Sequence, residues 1–526
     1  MSGAVGRRHL EAWPALATLC AVLFLTFLDN TVVSVALADI QTTLHSGVAQ
    51  LQWIVDGYLL AFAGLMLAGG TLGDLFGRKK VMLGGVAVFC AGSLVAALAP
   101  GNDALIAGRV LMGVGAAASE PGTLSMIRHI YPEQGQRTRA LGAWTAVSGA
   151  ALALGPIIGG ILVGSVGWRG VFWFNLAAGA LVLAVAAAVL PENADPQGRR
   201  LDVVGLVLGA VVVTAATFAV IEGESAGYTT WWIVVLFAVA AAAAAAFVVV
   251  ERRSADPVLR LEFFRKRGFA VANVVAFATS FGVFAVFFFT ALYLQLVGGF
   301  SGWKVALQFV SMAAAIVIAA PLAGTWTARR GPREPLTAGC LLAGVGLFAV
   351  DAVLGPHVSI GALASALAMT GVGFGLTLVA VTELVLSLVP PERSGMGAST
   401  LNTSRQLGGV FGVAVLGALV NAQLTTNLRD QLAHLGIPPT FQGIVINAVT
   451  HGGLPASPAG VSNPAATGHQ TIVAKVLQAA EDAFGSGLHL SLIIAGAMLL
   501  AAAVAGFVLT GSPAPASART ARSHYW

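Results

Sequence analysis

Residues 14–38 read PALATLCAVLFLTFLDNTVVSVALA, an apolar run with a single ionisable group, Asp29. As a helix it rises about 1.5 Å per residue, enough to cross about 30 Å of hydrocarbon. Lipid offers no partner for backbone N–H and C=O groups, so a spanning segment must satisfy them internally, as a helix does. Its apolar residues come in a block and do not alternate, which argues against a transmembrane β-barrel. Similar runs recur near 51–72, 81–100, 104–127, 140–164, 170–190, 203–222, 230–250, 268–294, 304–327, 335–354, 360–389, 398–422 and 487–509. The sequence therefore predicts an all-α polytopic membrane protein with fourteen transmembrane helices. Arg7 and Arg8 precede the first run, which is too long for a signal-peptide core and reads as an uncleaved span.

Composition agrees: the chain is 57% hydrophobic and 10% charged, against about 25% charged in an ordinary soluble domain. Cys20, Cys90 and Cys340 each lie in an apolar run, with no CxxC and no zinc-type spacing, so neither a disulfide framework nor a metal is expected. With the N-terminus inside, twenty-two Lys and Arg fall in cytoplasmic segments and four outside. That asymmetry predicts both termini in the cytoplasm. The net charge of +5 then reflects topology and not nucleic-acid binding. Residues 423–486 are expected to form an external loop, with a short surface helix at 469–485, and residues 512–526 a disordered cytoplasmic tail.

Two loops repeat. GTLGDLFGRKK occupies 70–80 and GTWTARRGPR occupies 324–333, aligning Gly77 with Gly331. They follow the second and tenth spans, which predicts two six-helix bundles with two extra central helices between them. The expected divisions are an N-terminal bundle in 1–190, a linker with the extra pair in 191–267 and a C-terminal bundle in 268–511.

Charges inside spans cost about 2.5–3.5 kcal/mol at mid-bilayer, so they mark protein interiors and aqueous cavities. The candidates are Asp29, Asp56, Arg109, Glu120, Glu383 and Arg405. Depth places Asp29 within reach of Arg109, a pairing suited to loading and releasing a proton or to a static buried ion pair. Glu120 follows Arg109 by eleven residues, so both share one helix face, beside a kink expected at Pro121. With Asp56, Glu383 and Arg405 it is a candidate substrate or second proton site, or a carboxylate hydrogen-bonded between helices. In GAALALGPIIGG (149–160), Ala151, Gly155 and Gly159 form a small-residue stripe for close helix approach, and Pro156 a bend point. Asp74 can cap a helix end, Gly73 and Gly77 allow a tight turn, and Arg78 and Lys79 offer partners across the cytoplasmic face. The Walker spacing of a phosphate loop is absent.

The chain resembles the major facilitator superfamily, specifically its fourteen-span drug:proton antiporter branch of EmrB/QacA type. GTLGDLFGRKK, the fourth-span Arg109, GPIIGG, LDNTVVSVALADI (28–40), WRGVFWFN (168–175) and LNTSRQLGGVFG (401–412) carry the resemblance. It implies the major facilitator fold and proton coupling at Asp29 and Arg109. It further implies a conformational latch at Gly73, Asp74, Gly77, Arg78 and Lys79, and an antiporter motif at Gly155, Pro156, Gly159 and Gly160. The sequence departs at Ser34 and Ala38, where Asn and Pro are usual, and at Ala328, where an acid is usual. The expected function is proton-driven export of hydrophobic or amphipathic small molecules from the bacterial cytoplasmic membrane. That implies no cofactor, no catalysis and a monomer in the bilayer. The alternative is a dedicated transporter of a lipid, siderophore or amino acid.

Overall fold

The computed structural model describes residues 2–46, 48–192, 201–254, 256–298, 300, 302–355, 358–434, 437–438, 442 and 467–509. Among these, the long elements are all helices. The first six are α1 (Ser2–Leu44), α2 (Val48–Phe76), α3 (Arg78–Ala97), α4 (Asn102–Ile130), α5 (Gln134–Val166) and α6 (Arg169–Val189). Then come α7 (Val203–Ala226) and α8 (Trp231–Arg253). Helix α9 begins as Arg267–Ala285, passes a π-helical turn at Val286–Thr290 and ends as Ala291–Leu296. The chain closes with α10 (Gly302–Arg330), α11 (Arg333–Val353), α12 (Ile360–Leu388), α13 (Ser394–His434) and α14 (Thr467–Leu509).

Twelve of the described helices are long and apolar enough to cross a membrane. Helices α4 and α5 are the long ones outside that set: Arg109, Glu120 and Arg128 dilute α4, and α5 offers only the shorter apolar stretch Ile157–Val166. Both are nonetheless embedded, α4 against α2 and α3, α5 against α1 and α10.

Helix pairing occurs twice. In the first set α3 lies on α4, α2 on α4, α1 on α5 and α3 on α6; in the second, α11 lies on α12, α10 on α12, α9 on α13 and α11 on α14. The sets meet through α5 with α10 and α2 with α13, reinforced by α4 with α13. The extra helices α7 and α8 pack on each other, and α7 also touches α2 and α13. Val234, Val235, Val239 and Val249 of α8 are exposed, as an apolar helix facing lipid requires.

The helices overrun the predicted spans. Helix α13 continues to His434, where a loop was expected from residue 423, and α14 starts at Thr467, so the surface helix at 469–485 is its first turns. Leu424, Leu428 and Leu432 are buried at i, i+4 and i+8, and Ala483 and Phe484 are buried on α14, where the Phe484 ring stacks 6.4 Å from Tyr293. A one-sided apolar stripe makes a stable helix without raising average hydropathy. The middle of 423–486 and the tail 512–526 lie outside the described residues.

Candidate functional site: a charged axis through the bundle

Three polar layers run along the bundle, one inside the first helix set and two between the sets. The first lies deepest, inside the first set. Asp29 on α1 and Arg109 on α4 are 0% and 1% exposed, and an Arg109 Nη1–H donates to Asp29 Oδ2 at 2.5 Å. Asn175 Nδ2 donates to Asp29 Oδ1 at 2.7 Å, and Arg109 Nε to the Ile54 carbonyl at 2.9 Å. The guanidinium lies 4.4 Å from the centroid of the Tyr58 ring, an arrangement that favours a desolvated cation. Both carboxylate oxygens are thus held, a condition for a buried ion pair to persist. The pairing expected from depth is present, with Asn175 and Tyr58 as partners not singled out beforehand.

Helix α1 reaches this position because α5 lets it in close. A Cβ on Gly155 would sit 1.8 Å from Thr31 Oγ1, so glycine is required there. Gly159 also borders Val32, whereas Gly160 faces open space and takes no part in the contact.

The second layer joins the two sets. Asn402 Nδ2 on α13 donates to Glu120 Oε1 on α4 at 3.2 Å, and Arg405 Nη1 donates to Asn402 Oδ1 at 3.1 Å. Arg405 Nη2 also donates to Thr382 Oγ1 at 2.6 Å and to the Leu378 carbonyl at 3.3 Å. Glu120 is 2% exposed.

The third layer closes the end of the bundle where the basic loops lie. Asp74, at the end of α2, accepts from the backbone N–H of Gly395 and Met396 at 3.0 Å each, capping the first turn of α13 in the other set. A carboxylate at a helix N-terminus satisfies free N–H groups and complements the dipole. Arg78 donates to Asp74 at 2.8 Å and to the Pro391 carbonyl at 2.9 Å, so it too bridges the sets. Gly73 is buried beneath this pair, and Gly77, at φ 108°, makes the turn between α2 and α3. Lys79 differs from expectation: its Nζ donates to Ala187 of α6 at 2.7 Å, inside the first set.

Glu383 also belongs to this end. It is 0% exposed and receives Arg137 through two bonds, Nε at 2.9 Å and Nη2 at 2.5 Å. Arg128 donates to the Leu386 carbonyl, and the Ser125 and Ser394 hydroxyls lie 2.9 Å apart. The four residues proposed as one substrate or proton site therefore separate. Glu120 and Arg405 come together through Asn402, Glu383 pairs with Arg137, and Asp56 lies half-buried on α2, two residues from Ile54. A cavity of about 450 Å³ between α1, α5 and α6 stands apart, walled by apolar side chains such as Leu16, Phe24, Val147 and Val182.

The helices form two paired sets, with ion pairs inside the first set and across the seam between them. The Major Facilitator Superfamily description matches residues 19–413, and the chain belongs to that family. It is 34% identical to the multidrug resistance protein Stp of Mycobacterium tuberculosis (strain CDC 1551 / Oshkosh), over 94% of this chain and 91% of that one. It is 31% identical to the tetracenomycin C resistance and export protein of Streptomyces glaucescens, over 95% and 92%. The proton:xylose symporter XylE shares the fold, with a TM-score of 0.62 at 13% identity over 96% of this chain and 97% of that one.

Proposed function

We propose that this chain exports hydrophobic or amphipathic small molecules, drugs and antibiotics among them, across the bacterial cytoplasmic membrane in exchange for protons. The substrate class rests on full-length relatives named for multidrug resistance and for antibiotic resistance and export. The coupling rests on one observation: a fully buried carboxylate, Asp29, held by Arg109 and Asn175 inside the bundle. A proton arriving at Asp29 cancels its attraction for Arg109 and frees the guanidinium to change partners. Loss of the proton restores the pair, so the two states of Asp29 can select two arrangements of α1 and α4. Asp74 and Arg78 act as the latch that holds the sets together at the basic end.

In this reading all fourteen helices span the bilayer, with both termini and the latch on the cytoplasmic side, as the charge asymmetry requires. The first bundle lies within 1–190, the extra pair within 191–267 and the second bundle within 268–511. The protein works as a monomer, with the proton gradient as its energy source and no cofactor. The test uses everted membrane vesicles from a hypersensitive host expressing the full chain. An imposed pH gradient, acid inside, should drive ethidium or chloramphenicol into the lumen. Accumulation no greater than in vesicles without the protein, for every compound tried, would refute export.

A further inference from the structure

The cluster of Glu120, Asn402 and Arg405 has unfilled positions on both of its charged members. Glu120 Oε2 and Arg405 Nε are buried without a hydrogen-bond partner. A buried polar atom without a partner is costly, so the arrangement leaves one acceptor and one donor to be satisfied by something else. The cluster lies on α4 and α13 about two helical turns further in from the basic end than Gly395, which Asp74 caps. Among the described residues, only the Asn402–Glu120 bond, at 3.2 Å, crosses between the sets here, since Arg405 and its other partners Thr382 and Leu378 belong to the second set. Parting of the sets at the basic end would break this bond and uncover Glu120 and Arg405.

We propose that Glu120 and Arg405 form a charge-balanced substrate-binding site for net-neutral or zwitterionic polar compounds that carry both a hydrogen-bond donor and an acceptor. This deepens the export reading and rests on it. The donor takes Glu120, replacing the Asn402 bond that opening breaks, and the acceptor takes the unfilled Nε–H of Arg405, which stays bonded to Asn402 within α13. A simple cation would satisfy Glu120 but lie beside a fixed positive charge, and an anion would meet the reverse problem. The carboxylate alone suggests a cation site; the guanidinium one residue-contact away removes that preference. Tyr58, on the neighbouring α2, donates its hydroxyl to the Thr26 carbonyl at 3.5 Å.

The experiment compares chloramphenicol, neutral with hydroxyl and amide groups, with ethidium, a permanent cation, in vesicles carrying the full chain. Glu120→Gln and Arg405→Gln should each lower chloramphenicol transport by about tenfold, the loss of one hydrogen bond to a charged group, and Arg405→Gln, which removes the positive charge beside Glu120, should raise ethidium transport relative to chloramphenicol. Arg405→Lys, which keeps the charge, guards against a folding defect and should retain part of the chloramphenicol transport. A second readout does not depend on transport: chloramphenicol, but not ethidium, should protect Glu120 from an apolar carbodiimide in detergent-purified protein. Selective loss of ethidium transport would make this a cation site and overturn the proposal. Equal loss of both compounds without protection would make the cluster a structural closure. Unchanged transport of both would remove Glu120 and Arg405 from the substrate path. If the unaltered protein moves neither compound and neither protects Glu120, the export reading falls and takes this site with it. Protection without transport would uphold the site while overturning export.

Discussion

The two repeated loops share a backbone and differ in what they hold. Gly77 after α2 and Gly331 after α10 both turn the chain at positive φ, 108° and 84°. In the first loop Asp74 is buried, caps α13 and orders Arg78 toward Pro391. In the second, Ala328 stands where Asp74 would align and Pro332 where Arg78 would, leaving an exposed Arg330–Glu334 contact at 3.4 Å within its own set. The seam opposite is closed by other means. A Cβ on Gly324 would lie 2.5 Å from the Thr138 carbonyl, so α10 and α5 touch directly, and Arg137–Glu383 supplies the charge contact. The same asymmetry runs deeper. The first set holds Asp29 against Arg109, while α12 carries Glu383 as its one charged residue and spends it on the seam. A duplicated scaffold thus concentrates the proposed coupling in one set and leaves the other to close against it.

The strongest way to break that division is Asp29→Asn. The amide keeps the shape and can still meet Asn175, but it cannot neutralise Arg109, whose charge stays buried. Uphill export driven by a pH gradient should be lost, because the amide has no proton to load or release, while stranding the Arg109 charge costs about 3–5 kcal/mol of stability. Insertion, read by membrane yield, should persist. Normal uphill export by this variant would move the coupling acid elsewhere, with the second set the first place to search.

Next in size is the Arg137–Glu383 seam. Glu383→Gln and Arg137→Gln should each weaken closure by about 3–5 kcal/mol, because each strands a buried charge, whereas the double variant should recover most of that. Melting temperature of the detergent-purified protein and cysteine cross-linking between α5 and α12 both report on it. Additive losses would show that the two residues act independently.

Asp74→Asn should act more mildly. It removes a carboxylate from a helix N-terminus, worth up to about 2 kcal/mol in a buried setting, and loosens Arg78. Maximal export rate should fall about tenfold, with less effect on the substrate concentration giving half-maximal rate. A change confined to that concentration would assign Asp74 to binding rather than to the latch.

Asp29 and Arg109 were legible as partners because Asp29 is the lone charge of its apolar run, Arg109 is the one cation of its own, and helix rise converts position into depth. The proposed latch was only half legible. Asp74 is visible, but its acceptors' partners are backbone N–H groups of Gly395 and Met396, more than three hundred positions away, and a backbone donor carries no mark in sequence. Glu383 was visible as a charge and misplaced, because Arg137 reads as an ordinary loop cation until α5 is known to begin at Gln134. Asn402 lies within a quoted motif yet passed unnoticed, since a neutral amide costs too little in hydropathy to stand out. The ends of α13 and α14 were missed for the same kind of reason: their stability comes from one buried stripe, which averaging over a window erases.

The smallest expected effect is also the one that most sharpens the comparison, and it is a gain. If the two loops differ in function only through the residue at the position of Asp74, then Ala328→Asp should begin to build a second latch. The site is partly buried near the end of α10, and the helix that starts opposite it is α5, at Gln134, just as α13 starts opposite Asp74 at Ser394. The new carboxylate would meet free N–H groups of that first turn. Pro332 gives it no counterpart of Arg78, so the added hold should be about 0.3–1 kcal/mol, the value of an acid at a helix N-terminus without further support. That predicts a slowing of maximal export by about two- to fivefold and a small rise in melting temperature, both cancelled in Ala328→Asn. Pairing Ala328→Asp with Asp74→Asn then asks whether one latch can replace the other. Recovery of the Asp74→Asn rate defect would show that the sets are interchangeable as closures. No recovery, with the slowing still present in the single variant, would show that the cap on α13 is required at its own position, next to the layer in which Asn402 and Arg405 of α13 meet Glu120 of α4.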